Sequence, residues 1–412
     1  MVLSKKSLMV SIFFMLLFFW VLAFGYFEGW MNADATSRQY GNYLIVNLIG
    51  ASMLIVFFPA KIKYSFPGVR VFTLMMVWLI IIHFFQQEYF GALKRLSNIL
   101  LTQVLLVVLA NYAWKINLFK LMELFIYYIV VLMVLVIYVQ LTKVGPIGIG
   151  THLEEFRLGG IFTFGQAATL AGTGLMLSAY QILYNPAAKK IVYIPLSLFF
   201  VYCLIACDLR TAIGAVAVAL SIQYLFYLQS KKKSIFPFLI MVSVLYGGYK
   251  IYLKLNESGT LVSSDLAYRE LIWQLSIPGI VKQPVTGYGA VTNFYKGNPK
   301  ILAFHEFLVD PHSSYLALML QSGVITFLLL MTYLFQVARF NFRSVSYHTK
   351  ALVSIFAFWL IVGSTGGYMY DLDYDITSVF FLFSVLAFCC HPSHLAENRK
   401  AIVSKGMLKA YV

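Results

Sequence analysis

The sequence has few charged residues: they make up 11% of its 412 residues, whereas soluble domains carry roughly a quarter. Hydrophobic residues make up 61%, and apolar runs of about 20 residues recur along the whole chain. Each such run is long enough to cross a hydrocarbon core of roughly 30 Å. The composition therefore excludes an ordinary soluble domain and predicts an all-α, polytopic membrane protein.

Cysteine is also scarce, with four residues in the chain. Cys203 and Cys207 lie one helical turn apart, Cys389 and Cys390 are adjacent, and none has metal-ligand partners at the usual spacing. We expect buried, inert thiols. The sequence also lacks a glycine-rich phosphate loop, a nucleotide-binding fingerprint and tandem repeats, which leaves a pump with its own ATPase domain without support.

Hydropathy predicts about twelve membrane spans. The first follows Lys5 and Lys6 and lacks a small-residue cleavage site, so we interpret it as a retained span. The predicted spans are roughly 8–27, 43–60, 71–88, 98–118, 122–142, 162–184, 191–207, 211–229, 234–252, 313–336, 350–367 and 376–391.

An even number of spans places both termini on one side, and the positive-inside rule selects the cytoplasm. With that orientation, the inner segments hold 19 of the 31 basic residues and two acids, Glu123 and Glu397. The outer segments hold the other 12 basic residues and 14 acids. The net charge of +15 is thus explained by topology, and no nucleic-acid partner is predicted.

Two outer connections are long, at about 143–161 and 253–312. In the second, "DLAYRELIWQLSIPGI" has apolar residues at helical spacing and predicts an amphipathic helix on the outer membrane face. Glycine- and proline-rich turns follow in "KQPVTGYGAVTNFYKGNP". We expect a small, partly helical periplasmic unit between spans nine and ten, ending at His312.

Several charged groups lie close to the predicted outer face. Arg210, beside Asp208 in "CDLRTAIG", is either a snorkelling arginine neutralised by Asp208 or an anion clamp, since a guanidinium matches phosphate oxygens. Arg269, on the predicted surface helix, is either a contact to lipid headgroups or part of an anion site, and Arg157 has a similar ambiguity. His312 starts an apolar helix, where histidine is either a local hydrogen-bonding group or a proton acceptor near neutral pH.

Three motifs together resemble the O-antigen ligase superfamily, which includes lipopolysaccharide O-antigen ligases and surface-polysaccharide polymerases. They are "RTA" between two spans, "YRELIW" and "QPVTGYG" in the long outer loop, and "PHSSYLALMLQSGVI" opening the next span. The resemblance covers residues 200–335. It implies a periplasm-facing, metal-independent glycosyltransferase that moves a glycan from an undecaprenyl-diphosphate carrier to a second sugar with inversion.

The resemblance also implies residue roles. Arg210 and Arg269 match the arginines expected to hold the lipid diphosphate, and His312 matches the histidine that accepts a proton from the acceptor hydroxyl. Candidate substrate-binding residues are Arg157, Asp208, Tyr288 and Tyr315. Asp-Leu precedes Arg210 where many members have serine, and Ser313 stands where many have asparagine. No cofactor and no metal are expected.

The predicted organisation has three parts: N-terminal transmembrane helices (1–160), a catalytic region (161–336) that includes the periplasmic loop 253–312, and the last two transmembrane helices with a cytoplasmic tail (337–412). The expected partners are the lipid-linked glycan, an acceptor glycan on lipid A-core or a growing polysaccharide, and membrane lipids. A chain-length regulator is left open.

Other interpretations remain. A flippase would place polar groups near mid-membrane. His83 does not fit that pattern, because it lies near the outer end of its span. A structural membrane protein would need no reactive groups. Within the superfamily, the twelve-span layout and the long loop favour a ligase over a polymerase. We interpret His305 as structural. The aspartates of "YMYDLDYD" are interpreted as a polar turn, because a calcium loop's glycine and terminal glutamate are missing.

Overall fold

The fold is described here from a computed structural model, for residues 68–85, 116–142, 158, 164–234, 264–289, 313–365, 381 and 384–391. This part of the chain is helical and contains no strand, which confirms the predicted all-α class. The helices in chain order are α1 (Val69–Phe85), α2 (Leu118–Thr142), α3 (Phe164–Tyr184), α4 (Lys190–Ala206), α5 (Arg210–Ser230), α6 (Ser264–Lys282), α7 (Ser314–Phe342), α8 (Tyr347–Ala351) and α9 (Val353–Thr365), followed by a π-helical segment (Ser384–Cys389).

Four stretches of the described chain are long and apolar enough to cross a membrane: α2, α5, α7 and the continuous stretch Tyr347–Ser364. Helix α4 and most of α1 are shorter apolar helices. These helices, with α3, fall at seven of the predicted spans. Predicted spans one, two, four and nine lie almost wholly outside the described residues, so the total of twelve stays a prediction.

Helix α3 is the centre of the bundle and packs against α2, α4 and α5. Its first half, "FGQAATLAGTG", is built from small residues, which allow close approach between helices in a membrane. A Cβ atom at Gly174 would lie 2.5 Å from the Phe200 ring of α4, and one at Gly172 would lie 2.7 Å from the Phe358 ring of α9. The small residues of α3 therefore set the distances from α3 to α4 and from α3 to α9.

Contacts between helix ends define two ends of the bundle. At one end, Gln181 Nε2 donates to the Phe119 carbonyl at 2.5 Å and the Tyr180 hydroxyl donates to the His348 carbonyl at 3.0 Å. At the other end, the Leu158 amide donates to the Ala206 carbonyl at 2.9 Å. We name them the His348 end (116–120, 180–190, 223–233, 339–350, 389–391) and the Arg210 end (158, 206–210, 313–315, 360–365). Consecutive helices α2 to α5 alternate in direction between them.

The break between predicted spans seven and eight is confirmed. Helix α4 ends at Ala206 and α5 begins at Arg210, and Asp208 between them has a φ of +49°. The Cys207 thiol donates to the Leu158 carbonyl at 3.3 Å, which fixes the turn against the preceding segment. All four cysteines are buried and free, as the sequence predicted.

Candidate functional site

Helix α7 is broken at Gly323, whose φ of 80° and ψ of 168° belong to a region of backbone space essentially restricted to glycine. The ring centroids of Tyr315 and Phe327 are 5.8 Å apart. In a straight helix their Cα atoms would be separated by about 18 Å. Helix α7 therefore bends sharply into residues 314–322 and 324–342. The second part is about 28 Å long, close to the thickness of a bilayer core.

The segment 284–289 supplies the hydrogen bonds that the break removes from α7. The Val324 amide donates to the Pro284 carbonyl at 2.7 Å. The Tyr288 amide donates to the Leu320 carbonyl at 2.6 Å, and the Gly289 amide donates to the Gln321 carbonyl at 3.1 Å. Because buried backbone groups need partners, these bonds stabilise a break that would otherwise be costly.

Two glycines make this contact sterically feasible. A Cβ at Gly287, where φ is +63°, would lie 2.5 Å from the Leu320 carbonyl oxygen. A Cβ at Gly323 would collide with the Val285 carbonyl oxygen and lie 2.7 Å from that of Pro284. We call residues 284–289 and 320–324 together the glycine junction. The turn residues of the first segment are predicted by the sequence; their partner is not, although the isolated Gly323 in an apolar run is a signal of a break.

Helix α6 packs on the first part of α7, on the N-terminal side of Gly323. Ile272 and Ile280 are buried against Ala317 and Leu320. The Tyr288 hydroxyl donates to the Gly279 carbonyl at 3.1 Å, and burial raises the pKa of this phenol, so it stays a neutral donor. The predicted helix is confirmed. The apolar residues of this segment do not share one buried face: Ile277 is 54% exposed and Val281 is also exposed, whereas Ile272 and Ile280 are buried.

The junction and the packing of α6 thus join the helix that bears position 269 to the first part of α7. Arg269 lies on α6, one turn before Ile272. Ser313, which is buried in extended backbone immediately before α7, follows His312 directly. His312 itself, Arg157, His305 and the aspartates at 371, 373 and 375 lie outside the described residues, as do the side chains of Arg269 and His83.

The start of α7 is anchored to α9. The Tyr315 hydroxyl donates to the Leu360 carbonyl at 2.6 Å, and its ring packs on Phe327. The hydroxyls of both predicted substrate-binding tyrosines therefore bond to the main chain: that of Tyr315 joins α7 to α9, and that of Tyr288 joins the segment 284–289 to α6.

Arg210 lies at the same end of α9 as Tyr315. Helix α5 packs antiparallel to α9, because Gln223 Nε2 donates to the Ser354 hydroxyl at 3.0 Å, whereas Val216 and Phe358 both pack around Gly172. Arg210 begins α5, about 20 Å from Gln223 along the axis and toward the end of α9 that Tyr315 contacts. Arg210 and Asp208 are both exposed there.

The segment from α4 to the first part of α7 matches a known protein family. Residues 195–331 match the family model described as O-antigen ligase, a range that includes Arg210, Arg269, His312 and both segments of the glycine junction. No curated protein matches the chain. The family match confirms, for residues 195–331, the resemblance to the O-antigen ligase superfamily.

Proposed function

We propose that the protein is an inverting glycosyltransferase that moves a glycan from an undecaprenyl-diphosphate carrier to an acceptor sugar, as an O-antigen ligase joining polysaccharide to lipid A-core. The observation that carries this proposal is the O-antigen ligase match over residues 195–331. All three residues assigned to the reaction lie inside that range.

In the proposed reaction, the acceptor hydroxyl attacks the anomeric carbon while the bond from that carbon to the diphosphate oxygen breaks. Negative charge grows on the departing diphosphate, and the guanidinium groups of Arg210 and Arg269 stabilise that charge more than they stabilise the ground state. His312 accepts the hydroxyl proton as a general base. Catalysis of this kind raises the rate about 10²–10⁴-fold. No nucleotide is consumed, because the lipid diphosphate is already an activated leaving group.

The packing supports a shared location for these groups. Arg210 and the start of α7 lie at the Arg210 end of the bundle, and the glycine junction connects α6, which bears Arg269, to the helix that follows His312. A site made of rigid helices positions charged groups more accurately than a site on loops alone.

We assign this end to the periplasm and both termini to the cytoplasm of a multi-pass inner-membrane protein. The distribution of described basic residues supports the orientation, because cytoplasmic segments retain lysine and arginine. The His348 end carries Lys120, Lys189, Lys190, Lys231, Lys232, Lys233, Arg339, Arg343 and Lys350.

The proposal is tested in a deletion strain complemented with wild type, Arg210→Ala, Arg269→Ala or His312→Ala, with Arg343→Ala at the opposite end as the matched control. Surface glycan is resolved by gel. We expect the three site variants to leave complete chains unattached on the carrier lipid and the control to restore wild-type glycan. Full activity in all three site variants would remove these residues from the mechanism.

A polymerase that joins repeat units on the same carrier is the second candidate, because the superfamily includes both activities and both require the same charged groups. The same gel separates them. A polymerase null leaves lipopolysaccharide capped by a single repeat, or no capsule, in place of long unattached chains.

A further inference from the structure

A cavity of about 720 Å³ lies at the His348 end, between the start of α2 and the turn that joins α3 to α4. Its volume is that of a small-molecule site, which is typically about 300–1,000 Å³. Arg210 follows the opposite end of α4, a helix of 17 residues and about 25 Å. The cavity is therefore remote from the proposed transfer site and has no part in that reaction.

The charged groups of this cavity favour an anion. Lys120 and Lys189 line its walls together with one carboxylate, Glu123. The Lys120 ammonium is 2.9 Å from the Glu123 carboxylate, and both side chains are partly exposed. Lys189 is exposed and lies outside this pair. Two cations against one anion give these described walls a positive charge.

The two helix starts at the cavity reinforce this charge. Helix α2 begins at Leu118, next to the lining residue Asn117, and α4 begins at Lys190, next to Lys189. The Asn117 side-chain oxygen accepts a hydrogen bond from the Phe119 amide at 2.9 Å and caps α2, whereas no side-chain hydrogen bond caps α4. The positive ends of two helix dipoles, of 25 and 17 residues, thus meet at the same cavity.

Exposed apolar surface continues from the cavity along both helices. On α2, Tyr127 lines the cavity, and Val131 and Val134 on the same helical face are about half exposed. On α4, Ile191 lies between the lining residues Lys189 and Val192 and is 81% exposed. A ligand that fits both surfaces has an anionic group at one end and hydrocarbon chains at the other.

We propose that this cavity binds the phosphate headgroup of an anionic membrane lipid, with its acyl chains against the apolar faces of α2 and α4. Lys120 and Lys189 contact the phosphate oxygens, and the side-chain NH₂ group of Asn117 donates to the polar part of the headgroup. Basic pockets between transmembrane helices on the cytoplasmic side are suited to such headgroups. The site does not depend on the glycosyltransferase assignment.

The test uses the full-length protein in detergent micelles and fluorescent phosphatidylglycerol, with phosphatidylcholine of the same chains as the zwitterionic comparison. We expect Lys189→Gln to weaken phosphatidylglycerol binding about fivefold, the effect of one lysine near a charged lipid surface. Lys233→Gln, an exposed lysine at the same end outside the cavity, is the matched control and should change binding less than twofold. Glu123→Gln should act in the opposite direction and tighten binding, because it removes the one carboxylate among the described walls.

Addition of inorganic phosphate separates a lipid from a soluble anion. Millimolar phosphate should displace phosphatidylglycerol only weakly, because it lacks the acyl chains that contact α2 and α4. Equal effects of Lys189→Gln and Lys233→Gln would overturn the site, as would equal affinity for phosphatidylcholine. Complete displacement by phosphate at the concentration of the lipid would overturn the lipid assignment.

Discussion

At the scale of single residues, Arg210 combines an unusual backbone context with an exposed charge. It is the first residue of α5, two residues after Asp208, which adopts a left-handed conformation that costs a non-glycine residue energy. Such strain is often retained at functional positions. The turn places Arg210 at the surface of the Arg210 end, where the proposed lipid diphosphate would approach it.

Replacing Arg210 with lysine tests whether the arginine binds phosphate in a bidentate manner. Lysine keeps the positive charge and loses the planar fork of donors. We expect Arg210→Lys to reduce glycan transfer at least about tenfold, equivalent to about 1.4 kcal/mol of transition-state binding. Arg343→Lys, an exposed arginine at the opposite end, should transfer glycan at the wild-type rate in the same assay. Full activity of Arg210→Lys would instead indicate that the site needs only a positive charge at this position.

Tyr315 is predicted by its motif to bind substrate, whereas its hydroxyl donates to the Leu360 carbonyl at 2.6 Å. We expect Tyr315→Phe to keep the ring packing on Phe327 and to lower stability by about 1 kcal/mol, with transfer activity within a few-fold of wild type. Tyr315→Ala also loses the ring contact and should cost about 3 kcal/mol. Thermal unfolding of the purified variants measures stability. A large loss of activity in a stable Tyr315→Phe protein would restore the substrate-binding role.

At the scale of elements, the glycine junction determines how α6 and α7 meet. Gly323→Ala places a methyl group against the Val285 carbonyl and forces alanine into a backbone region essentially restricted to glycine. We expect a loss of at least about 2 kcal/mol of stability together with loss of transfer activity. The measurement is the apparent melting temperature of the detergent-solubilised protein.

Gly214→Ala is the matched control for this prediction. A Cβ at Gly214 would meet nothing within 4 Å, and the residue lies inside helix α5. Alanine should therefore leave stability unchanged or raise it by up to about 1 kcal/mol through its higher helix propensity. Equal melting temperatures for Gly323→Ala and wild type would contradict the proposed role of the junction.

Gly174→Ala tests the spacing of the central helix. A Cβ at this position would lie 2.5 Å from the buried Phe200 ring, so α3 and α4 would have to separate. Overpacking of this kind costs about 1–3 kcal/mol, opposite in sign to the gain expected for Gly214→Ala in its open position. Chemical denaturation of the two variants in the same detergent compares them directly.

Part of this architecture could be predicted from the sequence. Hydropathy and the charged turn around Arg210 were enough to place α4 and α5, and glycine and proline marked the turn at 284–289. The bend in α7 could not be predicted, because residues 313–336 form one apolar run and a glycine costs a helix only about 1 kcal/mol. What breaks this helix is the segment 284–289, which precedes Gly323 by more than 30 residues and supplies the replacement hydrogen bonds.

The same limit applies to the candidate site. Motif order predicted which residues belong together, and the family match confirms the region that contains them. The motif order could not reveal that the Tyr315 and Tyr288 hydroxyls bond to backbone carbonyls, because those contacts depend on how α7 packs on α9 and α6.

At the scale of the whole molecule, the alternation of helix ends makes the orientation testable. The four native cysteines are buried, so they give little background to a thiol reagent. We expect Lys282→Cys, exposed on α6, to react with a membrane-impermeant maleimide in cells whose outer membrane is permeable. Lys233→Cys, exposed at the His348 end, should react only after the inner membrane is opened. The reverse pattern would place the proposed site in the cytoplasm.

We propose that Arg210, Arg269 and His312 act together in the transfer of a glycan from a lipid diphosphate. The most direct test of this proposal is glycan transfer by the purified protein, supplied with undecaprenyl-diphosphate-linked glycan and lipid A-core in the presence of a divalent-metal chelator and without nucleotide. We predict transfer by wild type and by Arg343→Ala, and at least about 100-fold slower transfer by Arg210→Ala and His312→Ala. Wild-type rates in both site variants, or transfer that stops when divalent metal is removed, would contradict the account.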